Sequence, residues 1–406
     1  MNSYQKCKEK LKEKVIEKID MSRLCEDDEV REIIDGIILE ESTKYYISLS
    51  EKRRLSREIF HSIRRLDLLQ ELIDNNEVTE IMVNGTENIF VEINGRIQKW
   101  EETFRSKEKL EDVIQQIVAK CNRVVNEASP IVDARLMNGA RVNVVLAPVA
   151  LNGPILTIRR FPEKPIEMED LIHIGSISRE GADFLRKLVI SKYNIIISGG
   201  TGSGKTTFLN ALSEFIPKDE RIITIEDSAE LQIRGISNLV KLETRNANIE
   251  ECKEISIRDL IRTALRMRPD RVIVGEVRGG EAIDMLQCFN TGHDGSISTG
   301  HANSAIDMLS RIETMALMGM DLPLTAIRRQ IASGVDIVIH LGRIRDKSRK
   351  VMEIVEVTNY ENGEITLNTI YRFCEEGTEK GGKVLGALVK MSEIKNITKW
   401  KAAGIS

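Results

Sequence analysis

The sequence predicts an α/β protein: an α/β domain over residues 177–406, an α+β domain over 63–162, and a charged helical N-terminal region over 1–62. Three observations carry this. The apolar run 194–198 leads directly into a glycine-rich turn and an amphipathic helix, and further apolar runs recur at 222–225, 271–274 and 335–341 between helical patterns. Upstream, short β-rich runs are punctuated by Asn84-Gly85 and Asn94-Gly95. At the N-terminus, Leu11, Val15 and Ile19, and then Ile33, Ile34, Ile37 and Ile38, repeat at helical spacing among charges.

Taken in order, the N-terminal region reads as a helical appendage without chemistry of its own, a docking role being the alternative. In the α+β domain, residues 80–83, 89–93 and 96–100 read as strands of hairpins. Leu110, Val113, Ile114, Ile117 and Val118 form one helix face, and 141–145 and 155–159 are further strands. Pro162 and Pro165 mark a linker, placed at 163–176. In the last domain 183–190 and the segment after Pro323 read as helices, the latter ended by Gly334. Residues 351–357 and 365–371 flank Asn362-Gly363 as a hairpin. The stretch 375–406 is rich in Lys and Gly and carries no motif.

The net charge of −4 offers no basic excess, which argues against a protein that wraps nucleic acid. No window approaches the roughly 18 consecutive apolar residues of a spanning helix, and the N-terminus has no apolar signal core. The six cysteines are scattered without a CxxC pair, so neither a disulfide framework nor a zinc ribbon is expected. A cytoplasmic protein fits these features.

Four segments carry candidate chemistry. Gly199, Gly200, Thr201, Gly202, Ser203, Gly204, Lys205 and Thr206 match GxxxxGK[ST] in full, and Thr207 follows. Glycines let successive N–H groups face a phosphate, and the following helix turns its positive end to the same anion. Lys205 is expected at the β- and γ-phosphates of ATP and Thr206 on Mg²⁺. The apolar strand 271–274 ends in Gly275-Glu276. Set beside the phosphate-loop strand, it would bring Glu276 to the γ-phosphate to polarise water; the alternative is a strand-terminal surface Glu. Glu226, Asp227 and Glu230 follow another strand, either holding Mg²⁺ through water or simply forming a polar exit.

In the fourth segment, residues 292–303, Gly292, Gly295 and Gly300 permit tight turns around a ligand. His301 could report on the γ-phosphate, with a two-histidine metal site as rival and a structural role open for His293. Arg141, Arg159 and Arg160, and likewise Arg266, Arg268 and Arg278, are either solvated or poised to neutralise phosphate charge. Met308, Met315, Met318 and Met320 read as core filler.

Together these segments resemble the secretion-ATPase superfamily of type II and type IV secretion and type IV pilus systems. Within it, RPDR ahead of GEVRGGEA and the MNGARVNVVLAPVA and LTIRRF stretches resemble the CpaF-type branch that serves Flp/Tad pili. The resemblance covers about residues 66–373. It implies a RecA-like P-loop NTPase domain hydrolysing Mg-ATP. Glu276 would be the catalytic carboxylate of an atypical Walker B strand, Glu226 and Glu230 the Asp-box acids and His301 the His-box residue. Glu226 and Glu276 would meet Mg²⁺ through water, and Arg141 and Arg159 would be N-terminal-domain arginines on a nucleotide held between the domains. It further implies a homohexamer, peripheral at the inner face of the cytoplasmic membrane, acting on an inner-membrane platform protein. Two other readings stand beside it: a P-loop translocase on nucleic acid, as in conjugative DNA transfer, and a nucleotide-gated ring with little turnover. The tetracysteine zinc element of the GspE-like and pilus-extension branches is absent from the sequence.

Overall fold

The computed structural model describes residues 3–19, 25–43, 47–93, 95–121, 123–136, 139–160, 164–245, 253–379 and 381–405. Asn94 of the expected turn, Met137 and Asn138 of the quoted motif, and residues 161–163 at the expected linker lie outside them. The chain divides into two compact units, residues 1–162 and 163–406. No described helix is long and apolar enough to cross a membrane.

The first unit opens with three helices, α1 (Ser3–Lys18), α2 (Asp27–Ser42) and α3 (Leu49–Arg64). The apolar stripes read from the sequence bury Leu11, Val15, Ile34, Ile37 and Ile38 against Leu55, Ile59 and Phe60. A capping box between Ser48 and Glu51 starts α3. After α4 (Leu69–Asp74) come β1 (Val78–Asn84), β2 (Asn88–Ile93), β3 (Arg96–Lys99), α5 (Lys107–Lys120), β4 (Ile131–Arg135), β5 (Arg141–Val145) and β6 (Ile155–Arg159). The strands form one antiparallel sheet in the order β3-β2-β1-β6-β5-β4. Period-2 alternation sends Ile81, Val83, Val142, Val144, Leu156 and Ile158 into one core with the apolar face of α5.

The second unit continues with α6 (Met168–His173), α7 (Arg179–Ile190), β7 (Ile195–Gly199), α8 (Lys205–Ser213), β8 (Ile222–Glu226), β9 (Leu239–Glu243), α9 (Ile257–Ala264), β10 (Arg271–Val274), α10 (Ala282–Asn290) and β11 (Ile297–Gly300). It closes with α11 (Ala305–Gly319), α12 (Leu324–Gly334), β12 (Ile337–Arg343), β13 (Arg349–Glu361), β14 (Glu364–Thr378), β15 (Val384–Lys390) and α13 (Thr398–Ala402). Met168 and Leu171 are buried in this unit's core, so the expected linker is core structure from α6 onward.

Nine strands make one sheet, β15-β14-β13-β12-β7-β11-β10-β8-β9. The run β12-β7-β11-β10-β8-β9 is parallel, and β13, β14 and β15 extend it antiparallel. Helices and loops cover both faces, which is why β7, β8 and β10 are buried at every position and read as unbroken apolar runs. Asn362 (φ 52°) and Gly363 (φ 88°) make the turn between β13 and β14, as expected for Asn-Gly.

Three expectations need correction. The strand carrying Glu276 is not beside the phosphate-loop strand: β11 lies between β10 and β7. Gly300 is the last residue of β11 and not a turn; a Cβ there would run into Met308 Cε, so the glycine makes room for a methionine. Met308 and Met315 are core residues, but Met318 near the end of α11 is 70% exposed and Met320, just after it, 36%. The described cysteines are all free thiols.

Candidate active site

Parallel strands bring their carboxyl ends to one edge of the sheet, where ligands of open α/β sheets bind. At that edge β7 leads into the loop 200–204, β8 ends in Glu226, β10 is followed by Gly275 and Glu276, and β11 by His301. The loop turns into α8 at Gly204, whose φ of 92° is left-handed and suits glycine. Thr206 and Thr207 lie half-buried in the first turn of α8.

Lys205 folds back over its own loop. Its Nζ donates to the carbonyls of Gly199 (3.1 Å) and Gly200 (3.2 Å) and stands 3.3 Å from His301 Nδ1. The other ring nitrogen, Nε2, lies 2.8 Å from Glu276 Oε1. An ammonium can only donate, so Nδ1 accepts and the neutral ring carries its proton on Nε2; Glu276 Oε1 is nevertheless buried without a hydrogen-bond partner, so imidazole and carboxylate meet as a close contact. Burial, chiefly, lowers the pKa of both Lys205 and His301, while the Glu276 carboxylate pulls each back up. Glu276 Oε2 accepts from Arg278 Nε (2.8 Å) and Nη2 (2.6 Å), and Arg278 Nη1 lies 3.7 Å from Asp227 Oδ2. Lysine, imidazole, carboxylate and guanidinium thus touch in series.

Glu226 is buried at 4% exposure. Its Oε1 accepts the backbone N–H groups of Glu230 (2.8 Å) and Leu231 (2.9 Å), and its Oε2 is buried with no hydrogen-bond partner. Burial pushes its pKa up to about 7 against the pull of those two N–H groups. A Cβ on Gly275 would lie 2.9 Å from Glu226 Cγ. The glycine standing where an Asp is usual is therefore filled from the neighbouring strand by Glu226. The Glu230 side chain is half-buried and close enough to Arg278 to act on it electrostatically.

The remaining candidates separate. His293 precedes β11 at its far end, beside Thr291 Oγ1, so His293 and His301 do not form a pair. Arg160 is spent on Asn75 and Asn76. Arg141 and Arg159 lie in the first unit, directly opposite each other on β5 and β6, with Arg135 opposite Arg141 and Glu80 opposite Arg159. Arg349, not singled out by the sequence, donates from Nε to the Gly202 carbonyl at 2.8 Å.

Among the described residues no cluster of three or more His, Cys, Asp or Glu could hold a metal. The residues present do fit Mg²⁺ carried in by a nucleotide: one hydroxyl, Thr206, on the phosphate helix, carboxylates nearby, and the remaining ligands from phosphate and water.

The profile of the type II/IV secretion system protein family matches residues 64–398. The chain belongs to this family. A relative named as a putative conjugal transfer protein, from Mycobacterium tuberculosis, is 33% identical over 310 residues, spanning 75% of this chain and 87% of that protein. The type IV secretion system protein PtlH of Bordetella pertussis is 33% identical over 315 residues, 71% of this chain and 93% of its own length. The crystal structure of the pilus retraction motor PilT with bound ADP superposes with a TM-score of 0.52 at 20% identity. It covers 84% of this chain and 87% of the PilT chain, and so shares the fold of this secretion-family member.

Proposed function

We propose that this protein is a motor that hydrolyses ATP to ADP and phosphate with Mg²⁺. In this reading it works as a homohexameric ring at the inner face of the cytoplasmic membrane, on the platform protein of a pilus or secretion system, within the CpaF-type Flp/Tad branch. The observation that carries the reading is the contact series Lys205–His301–Glu276 at the carboxyl ends of three adjacent strands. The division of the first unit into a helical region, 1–62, and an α+β domain, 63–162, belongs to the same proposal.

The chemistry follows from the residues. The loop 199–204 and the N-terminus of α8 hold the phosphates, and Lys205 exchanges two loop carbonyls for phosphate oxygens. Thr206 would hold Mg²⁺, which when bound neutralises phosphate charge. Glu276 orients and deprotonates the attacking water, with Arg278 fixing its Oε2 while Oε1, which lies against His301 without a hydrogen bond, stays free for the water. Glu226 and Glu230 border this carboxylate as the Asp-box acids. Arg141 and Arg159, opposite each other on neighbouring strands, are the arginines this reading assigns to the polyphosphate. In this reading, each cycle of hydrolysis is converted into movement within the ring.

A steady-state phosphate-release assay tests the proposal. Lys205→Ala should abolish turnover, and Glu276→Gln should bind ATP but turn over about 10²- to 10⁴-fold more slowly. Unchanged hydrolysis in either variant removes the assigned role. The Mycobacterium tuberculosis relative, named as a putative conjugal transfer protein, supports a second reading, work on transferred DNA. Stimulation of phosphate release by single-stranded DNA would favour it.

A further inference from the structure

Arg349 reaches the phosphate loop from outside. It opens β13, and its Nε holds the Gly202 carbonyl at 2.8 Å. Gly202 has a left-handed φ of 71°, so its peptide has more freedom than a residue with a Cβ would allow. A trans peptide points its carbonyl and the next N–H in opposite directions. Fixing the Gly202 carbonyl against Arg349 therefore fixes the Ser203 N–H, which turns back across the loop to the Gly200 carbonyl at 3.3 Å.

The backbone of the same arginine is held from its other side. The Arg349 carbonyl accepts Ser176 Oγ at 2.7 Å, the Val351 N–H donates to the Ser176 carbonyl at 2.9 Å, and Lys350 Nζ donates to the Gly175 carbonyl at 2.5 Å. Gly175 and Ser176 follow α6, the first helix after the division between the two units. The chain arriving from that division is thus laced to β13 at the residue whose side chain grips the phosphate loop.

We propose that Arg349, held by Ser176, is a positioning residue for nucleotide binding: a strap that keeps the phosphate loop shaped for an anion and ties that shape to the first segment of the second unit. The proposal rests on the reading of the loop as an ATP site. The strap acts on binding and not on bond cleavage, because it touches the loop and not Glu276.

Titration of the full chain with a fluorescent ADP analogue tests it, alongside phosphate-release kinetics. Arg349→Gln should weaken ADP about tenfold, the effect of one charge-assisted hydrogen bond, raising KM while kcat stays within about twofold. Arg349→Lys, which keeps the charge, should fall between wild type and Arg349→Gln. Ser176→Ala should weaken ADP about threefold and add nothing in the Arg349→Gln background. Equal ADP affinity in wild type and Arg349→Gln, a loss confined to kcat, or full additivity of Ser176→Ala and Arg349→Gln each overturns the strap. Lys205→Ala separates the two failures. If wild type binds ADP and Lys205→Ala does not, the ATP-site reading stands whatever Arg349 does; if wild type binds no nucleotide, that reading falls and takes the strap with it.

Discussion

His301 stands between Lys205 and Glu276, with Nδ1 3.3 Å from the lysine ammonium and Nε2 2.8 Å from the carboxylate. The strand order explains this: β11, which ends just before His301, separates the phosphate-loop strand from the Glu276 strand, so the residue after β11 stands between them. A neutral imidazole serves because its Nδ1 can accept from the ammonium while Nε2 faces the carboxylate. His301→Ala should therefore lower phosphate release about 10²-fold while leaving ADP affinity within about threefold. Unchanged turnover would remove the imidazole from the mechanism.

The same residue sets an acid limb. Burial lowers the His301 pKa, so the native fold favours the neutral ring. That preference is fully present above the ordinary imidazole range and is lost as pH falls through the depressed value. Protonation leaves Nδ1 unable to accept from Lys205. Turnover should fall on the acid side of neutrality, and His301→Gln should flatten that limb. A pH–rate profile of both proteins checks it; an identical acid limb in the variant would assign the limb elsewhere.

Gly275 and Glu226 are complementary in volume. A methyl group on Gly275 would sit 2.9 Å from Glu226 Cγ, and Glu226 is pinned by two backbone N–H groups and cannot withdraw freely. Gly275→Ala should cost about 1–3 kcal/mol in urea denaturation, as overpacking does. Pairing it with Glu226→Ala should recover part of the loss, because the two changes share one space. Strict additivity would show that they do not interact.

Glu226 also predicts a pH-dependent stability. Its folded pKa is raised to about 7, so the folded state binds a proton more tightly than the unfolded chain. Stability from this group is full below the ordinary carboxylate range and drains as pH rises toward 7, by about 3 kcal/mol at most. Glu226→Gln cannot lose a proton. Its melting temperature relative to wild type should climb between pH 5 and pH 8, whatever the offset at pH 5. A constant difference would mean that Glu226 ionises normally.

Much of this was legible in the residues because local physics writes it there. The glycine-rich turn between a buried strand and an amphipathic helix needs its own composition, and Asn362-Gly363 names its turn. What stayed hidden is pairwise and distant. Ile297, Ser298 and Thr299 make a strand too short to stand out between two glycines, so the intervening position of β11 was missed. Arg349 lies 147 positions from Gly202, and nothing in its neighbours marks it. Gly275 reads as a missing Asp until Glu226 is seen to occupy the space.

The C-terminal stretch, which carried no motif, is fastened by a charge. Lys399 Nζ lies 2.6 Å from Asp336 Oδ2 and 2.6 Å from Asp294 Oδ1, and Asp336 also accepts the Asn194 N–H at 2.7 Å, just before β7. Burial raises the Asp336 pKa, and the Lys399 ammonium opposes that rise. Removing the ammonium strands a carboxylate whose side chain is 13% exposed. Lys399→Met should cost about 2 kcal/mol near neutral pH, below the range for a fully buried pair because Lys399 keeps some solvent contact. The freed Asp336 then has a still higher folded pKa, so its unfavourable ionisation grows as pH rises and disappears once it is protonated. The variant's deficit in thermal unfolding should therefore be larger at pH 8 than at pH 5, and Asp336→Asn should restore part of it at pH 8. A deficit equal at both pH values would show that lost packing of the lysine stem, and not the orphaned carboxylate, sets the cost.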